Sequence, residues 1–216
     1  MKVTSIQLDV SESIGKVSAE IITPEQPKAI ITLAHGAGAG MNHLFMTALA
    51  NELAQLSIAT LRFNFPFTEQ KKRRPDFPAV AHKTIEAAIN KVHELFPSAP
   101  LFVSGKSFGG RMSSQYLSKT QHDFVKGIIF FGFPLHPPGN PTVDRADHLK
   151  DVKVPMLFLQ GTKDELATGN LIEQVTNELS LATLYKIDGA NHAFKSGKQN
   201  LIPVLAQATN EWIEKI

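Results

Sequence analysis

A serine, a carboxylate and a histidine stand in that order along the chain, each in a short polar segment that follows an apolar run. The serine lies in Gly105-Lys106-Ser107-Phe108-Gly109, between Leu101-Phe102-Val103 and a helix-like stretch from Arg111 to Ser118. Glycine two residues before and two after a serine fits a sharp strand-to-helix turn. Such a turn lets neighbouring backbone approach closely and pushes the hydroxyl out at the end of a sheet. A hydroxyl becomes a strong nucleophile only when a base takes its proton, and the base needs an acid to orient it. Both follow in order. Asp164, in Gly161-Thr162-Lys163-Asp164-Glu165, comes after the β-rich run Val154 to Gln160, and His192, in Asp188-Gly189-Ala190-Asn191-His192, comes after Leu184-Tyr185-Lys186-Ile187. Glu165 and Asp188 are rival acids, but Asp188 is so near His192 in sequence that it is better suited to shaping that turn. The expected chemistry is acyl transfer: His192 deprotonates Ser107, Ser107 attacks a carbonyl, Asp164 stabilises the imidazolium, and water then releases the acid.

Acyl transfer also needs N–H groups aimed at the oxygen that gains charge in the transition state. The chain's glycine-rich segment, His35-Gly36-Ala37-Gly38-Ala39-Gly40, follows the apolar run Ala29 to Ala34. It lacks the Lys-Ser/Thr ending of a phosphate-binding loop, and its glycines do not match the G-x-G-x-x-G dinucleotide pattern. It resembles instead the HG-type oxyanion loop of esterases, a likeness that implies donors at Ala37 and Phe108 and makes His35 a loop brace rather than a base.

The chain as a whole resembles the α/β-hydrolase superfamily, and within it the small lidless members similar to dienelactone hydrolase. Ala34 to His43, Arg62-Phe63-Asn64-Phe65-Pro66, Gly105 to Met112 and Pro134-Leu135-His136-Pro137-Pro138-Gly139 look like a branch that also contains a subunit of a chromatin acetyltransferase complex and its short relatives. The resemblance covers nearly the whole chain. It implies a serine hydrolase acting on a small carboxylic ester or related acyl bond. It also leaves open a catalytically weak or inactive binding or regulatory module, and a thioesterase or peptidase using the same triad. His43 and Asn64, which stand in these stretches, are substrate-binding candidates. Phe133, Leu135 and His136 are candidate pocket walls, because in relatives of this fold the loop after the strand beyond the serine overhangs the site. The competing reading of that segment, Gly132 to about Asp147, is a rigid connection braced by Pro134, Pro137, Pro138 and Pro141.

The elements that must position these residues follow from periodicity. Lys2 to Val10 and Lys16 to Thr23 read as an opening strand pair, with further strands at Ile30–Ala34, Ile58–Phe63, Gly127–Phe131, Val154–Leu159 and Leu184–Ile187. Leu44, Ala48, Leu49, Leu53 and Leu56 recur at helical spacing, as do Ala81, Ile85, Ala88, Ile89, Val92 and Phe96. Leu171 to Leu179 forms another helix, and Leu201, Leu205, Ala208 and Trp212 give the last one a buried stripe. Strands alternating with helices imply a doubly wound α/β architecture with a mainly parallel sheet.

At 216 residues and 43% hydrophobic, the chain reads as one α/β domain, 1–216, with a sizeable core and no room for a lid domain. A net charge of +2 argues for neither nucleic acid nor a membrane surface as partner, leaving a small acyl substrate, with a protein partner possible. Lys71-Lys72-Arg73-Arg74 is a local exception, read as a solvated loop or as an anion-attracting rim of the site. The absence of cysteine excludes disulfides and thiolate chemistry, and the strand-like Met1 to Val10 has no signal-peptide core, so a cytoplasmic protein is expected. No H-E-x-x-H occurs and the eight histidines are scattered, so neither a metal nor an organic cofactor is expected.

Overall fold

A computed structural model describes residues 1–216. Eight strands form one sheet: β1 (Lys2–Ser11), β2 (Gly15–Thr23), β3 (Ala29–Ala34), β4 (Ile58–Phe63), β5 (Leu101–Lys106), β6 (Val125–Phe131), β7 (Met156–Gly161) and β8 (Ala182–Ile187), in the spatial order β1-β2-β4-β3-β5-β6-β7-β8. β1 pairs antiparallel with β2, and β2 antiparallel with β4; every later pairing is parallel. Six helices connect them: α1 (Leu44–Gln55), α2 (Pro66–Glu69), α3 (Pro78–Leu95), α4 (Phe108–Leu117), α5 (Gly169–Glu178) and α6 (Ile202–Ile213), with a 3₁₀ segment at Asp144–Asp151. This is a doubly wound α/β architecture without an inserted lid.

The period-2 alternation of the central strands builds two cores. Ile30, Leu101, Val103, Ile128 and Phe130 face α3, α4, α5 and the 3₁₀ segment, whereas Ile31, Leu33, Phe102, Ile129 and Phe131 face α1 and α6. Trp212 belongs to the second core, edge-on to Phe102 at 5.9 Å, as its place in an apolar stripe predicts.

The strand order places the site. From β3 the chain winds outward to β4, then crosses back over β3 to β5, so the connections leaving β3 and β5 diverge and open a crevice between the two strand ends. Open α/β sheets bind ligands at such a switch point. Registers Ala34↔Gly105, Lys106↔Phe131 and Gly161↔Ile187 bring the ends of β3, β5, β6, β7 and β8 to one edge of the sheet. The loops carrying His35, Ser107, Asp164 and His192 all leave from that edge.

Glycine is required where the backbones close on one another there. A Cβ on Gly109 would lie 2.5 Å from the Ala34 carbonyl oxygen and 2.7 Å from that of His35, and one on Gly105 would overlap the backbone of Gly109 and Gly110. Gly169, the first residue of α5, has open space around its would-be Cβ and no left-handed backbone. Helix propensity alone favours alanine at both helical positions, 109 and 169. Gly109→Ala is nevertheless expected to destabilise the fold by about 2–3 kcal/mol through overpacking against main chain, while Gly169→Ala stays within about 1 kcal/mol of the parent. Urea denaturation of the two variants checks this, and equal stabilities would contradict the packing argument.

Candidate active site

Ser107 caps α4 with φ 50° and ψ −114°, one of four non-glycine residues with positive φ in the chain. Backbone held in such a sparsely populated region stores about 1–3 kcal/mol and persists only where its surroundings fix it. Here the Ser107 N–H donates to the Phe131 carbonyl at 3.3 Å, and the Ser107 carbonyl accepts from Arg111 N–H at 3.1 Å. The turn leaves the side chain partly exposed at the mouth of the crevice.

A continuous hydrogen-bonded chain runs from that side chain into the protein. His192 Nε2 lies 2.8 Å from Ser107 Oγ, and His192 Nδ1 lies 2.7 Å from Asp164 Oδ2. An Nδ1 that donates to the carboxylate leaves Nε2 free to accept from the hydroxyl, which is the tautomer a general base needs. Asp164 is buried and takes two further donors: Gln160 Nε2 at 2.6 Å on Oδ2, and Leu166 N–H at 2.8 Å on Oδ1. Gln160 is itself fixed, because its Oε1 accepts from Phe133 N–H at 2.9 Å. The loops carrying Asp164 and His192 are pressed together at Gly161, where a Cβ would overlap the Ala190 carbonyl. The rival acids are elsewhere: Glu165 is exposed, and Asp188 accepts from Thr162 Oγ1 at 3.3 Å in the turn it was expected to shape.

The glycine-rich loop lies against Ser107, with the would-be Cβ of Gly36 3.7 Å from Ser107 Cβ. Ala37 is exposed and its N–H has no acceptor within the protein, while Phe108 opens α4 and so carries one of the N–H groups that a helix start leaves unpaired. His35 braces this loop. Its Nδ1 donates to the Gly36 carbonyl at 2.8 Å, and its Nε2 accepts from Phe65 N–H at 3.1 Å. A proton on Nε2 would confront that N–H, and burial adds to the penalty, pushing the His35 pKa down to about 4. A second brace comes from β4: Arg62 is buried, ion-paired with Glu20, and donates to the Met41 carbonyl at 2.9 Å.

The structure thus brings together Ser107, His192 and Asp164, with Ala37 and Phe108 N–H groups alongside. It reassigns Asn64, Phe133, Leu135 and His136, and leaves His43 at the surface. Asn64 is a loop brace: its Oδ1 accepts from Met41 N–H at 2.8 Å and its Nδ2 donates to Glu69 at 2.9 Å, so its polar groups are committed. His43 is exposed at the start of α1, where Nδ1 accepts from Phe45 N–H at 3.2 Å. Phe133 and Leu135 are fully buried, Phe133 packing on Phe130 and Phe158, so they belong to the core rather than to a pocket wall. His136 is also buried, donating from Nδ1 to Pro137 O and accepting at Nε2 from Thr168 N–H at 3.0 Å. The first part of the segment after β6, Phe133 to His136, is therefore packed into the core rather than overhanging the site. Lys71 to Arg74 are all exposed. Two site residues escaped the sequence reading. Gln160 could have been noticed as a polar residue closing an apolar strand, and Lys106 as a cation between strand and nucleophile.

No group of three or more His, Cys, Asp or Glu side chains is gathered so as to hold a metal ion, and no helix is long and apolar enough to cross a membrane.

Sheet order, crossing point and strand-end loops together define an α/β-hydrolase fold. The chain belongs to the alpha/beta hydrolase domain family, which it matches over residues 27–214. Among solved structures it is similar to dienelactone hydrolase from Anabaena variabilis, with a TM-score of 0.79 and 19% identity over 99% of this chain and 97% of that one. Est1E from Butyrivibrio proteoclasticus aligns with a TM-score of 0.75 and 16% identity over 98% of both chains. An α/β serine hydrolase without lid from Xanthomonas campestris aligns at 0.74 and 21% identity, over 98% of this chain and 95% of that one. At these identities the likeness is one of fold.

The bracing role of His35 has a pH signature. Its folded-state pKa lies near 4 and its unfolded value near 6.5, so between those values the unfolded chain binds the extra proton and stability falls on acidification. The shift of roughly 2.5 units corresponds to about 3 kcal/mol lost between pH 7 and pH 4. His35→Gln, which keeps an acceptor near Phe65 N–H, is expected to flatten the pH dependence by that order. Urea titrations at pH 7 and 4.5 measure it, and an unchanged slope in the variant would rule out His35 as the source.

Proposed function

We propose that the chain is a serine hydrolase that cleaves small carboxylic esters through Ser107, His192 and Asp164. The observation that carries this reading is the unbroken Ser107–His192–Asp164 chain, at 2.8 and 2.7 Å, on loops from three different strand ends. Its agreement with the names of similar folds, an esterase and a dienelactone hydrolase, supports the reading.

In this mechanism His192 Nε2 takes the Ser107 proton as Oγ attacks the ester carbonyl. The tetrahedral oxyanion is received by the N–H groups of Ala37 and Phe108, where removing one such donor typically costs about 3–4 kcal/mol of transition-state stabilisation. Asp164 holds the imidazole in its tautomer and stabilises the imidazolium, which then protonates the departing alcohol. Water, deprotonated by the same nitrogen, attacks the acyl-enzyme and frees the acid. Asp164 suits its role because Gln160 and Leu166 hold it rigidly while leaving Oδ2 facing His192. Ala37 and Gly38 are exposed, so this side of the site is reached directly from solvent.

A fluorophosphonate probe tests the reading: Ser107 Oγ forms the bond to phosphorus, fluoride leaves, and the serine proton passes to His192. Wild type is expected to label and to hydrolyse p-nitrophenyl acetate. Ser107→Ala and His192→Ala, still folded by circular dichroism, should lose labelling and drop in kcat by about 10⁴-fold or more. A folded wild type that neither labels nor turns over the ester would favour a binding module on this scaffold.

A further inference from the structure

Lys106 precedes the nucleophile, yet no step of the mechanism above uses it. Its ammonium points away from bulk water, into the space beneath the turn that carries His192. Nζ donates to the His192 backbone carbonyl at 2.7 Å and sits 5.3 Å from the centroid of the Phe194 ring. Phe194 adopts a left-handed backbone, φ 56°, and stacks on Phe45 of α1 with centroids 5.8 Å apart. Gly132 makes room for this arrangement, since a Cβ there would stand 3.2 Å from Lys106 Nζ and 3.5 Å from His192 Cε1. One cation thus ties the end of β5 to the turn that must present the base.

We propose that Lys106 is the positioning residue of His192: by clamping the carbonyl of the base from beneath, it sets the separation of Nε2 and Ser107 Oγ. This rests on the reading of Ser107 and His192 as nucleophile and base. The clamp is needed because the Asp188–Phe194 turn follows the edge strand β8, and its other main-chain bonds run within itself, Asn191 N–H to Lys195 O at 3.1 Å and Phe194 N–H to Asn191 O at 2.9 Å, or to the loop after β7, Lys163 N–H to Ala190 O at 2.9 Å and Gly189 N–H to Thr162 Oγ1 at 2.8 Å. Those bonds give the turn its shape without fixing it to the strand that carries the serine. The Lys106 bond spans that gap. A misplacement of about 1 Å in such a site can cost roughly 10²-fold in rate, so the anchor matters although it touches no substrate.

The clamp has a proton dependence. Burial pulls the Lys106 pKa down to about 8, against the opposing pull of Asp164 and Glu165, while His192 faces the same space. Below that pH the ammonium donates a charge-assisted bond to the carbonyl; above it a neutral amine donates a weaker one. Activity should therefore decline as pH rises through about 8.

Lys106→Met, close in length but unable to donate, separates positioning from space-filling. The expected result is a 10- to 100-fold fall in kcat for p-nitrophenyl acetate, KM within about 2-fold, loss of the alkaline limb, and a crystal structure with His192 Nε2 more than about 3.5 Å from Ser107 Oγ, beyond hydrogen-bonding reach. Lys106→Arg, charged at all accessible pH, is a second variant that reads the limb even if the methionine variant does not fold: activity retained with no decline near pH 8 supports the clamp. Wild-type kcat and an intact Nε2–Oγ contact in Lys106→Met, or an unchanged alkaline limb in Lys106→Arg, would overturn it. If wild type neither labels with fluorophosphonate nor hydrolyses the ester, the catalytic reading falls while the structure of Lys106→Met still decides the clamp: a displaced turn upholds it and an unmoved one sinks it.

Discussion

The arrangement depends on one strained residue. Ser107 must hold φ 50° and ψ −114° for its hydroxyl to stand clear of the sheet, and no L residue prefers that conformation. The surroundings enforce it from three sides: the Phe131 carbonyl on β6, the first turn of α4 through Arg111, and the glycines that allow α4 to press onto the ends of β3 and β5. The tight approach of Gly109 to the Ala34 and His35 carbonyls also brings the glycine-rich loop beside the serine. The strain and the close packing are thus one feature: a Cβ at either glycine would lift the helix and release the turn.

Around that turn the supporting polar groups fall into two sets. On the β2 and β4 side, His35, Asn64, Glu69, Arg62 and Glu20 hold the glycine-rich loop, so the exposed Ala37 N–H is presented by a fixed frame although its own residue makes no hydrogen bond. On the β7 and β8 side, Gln160 donates to Asp164 and Lys106 to the His192 carbonyl. Both sets use the same device, a side chain that satisfies the main chain of a neighbouring loop. Loops leaving a strand end carry unpaired N–H and C=O groups, and pairing them with buried side chains converts mobile connections into a defined site.

Much of this was legible in the sequence because it is local. The alternation of strands and helices is written in periodicities of 2 and 3.6. β4 starts and ends where its apolar run does, and Ser107, Asp164 and His192 each stand in the short segment that follows a strand's end at Lys106, Gly161 or Ile187. What was not legible is what lies between distant segments. Asn64 looks like a pocket residue in a short motif, but its partners are Met41, 23 positions back, and Glu69 on α2, a four-residue helix too brief to announce itself. Phe133, Leu135 and His136 follow the strand beside the serine, where an overhanging loop was plausible. The crowding of Phe130, Phe133 and Phe158 draws that segment into the core instead. Burial of an aromatic cluster is a collective property, and no spacing rule encodes it.

The same distinction explains why a lysine can sit beside His192. In the proposed mechanism a cation close to His192 would oppose the imidazolium formed during acyl transfer, so its charge alone would slow the reaction. Asp164 and Glu165 offset that charge, and the carbonyl of His192 absorbs one of its protons into a hydrogen bond. What remains is a short, directional link between β5 and the turn after β8, two strands that are not neighbours in the sheet. β6 and β7 lie between them, and their ladders transmit register along the strands but not the height of a loop above the sheet edge. A side chain crossing that edge is the shortest way to set it, and the residue immediately before the serine is the one placed to reach.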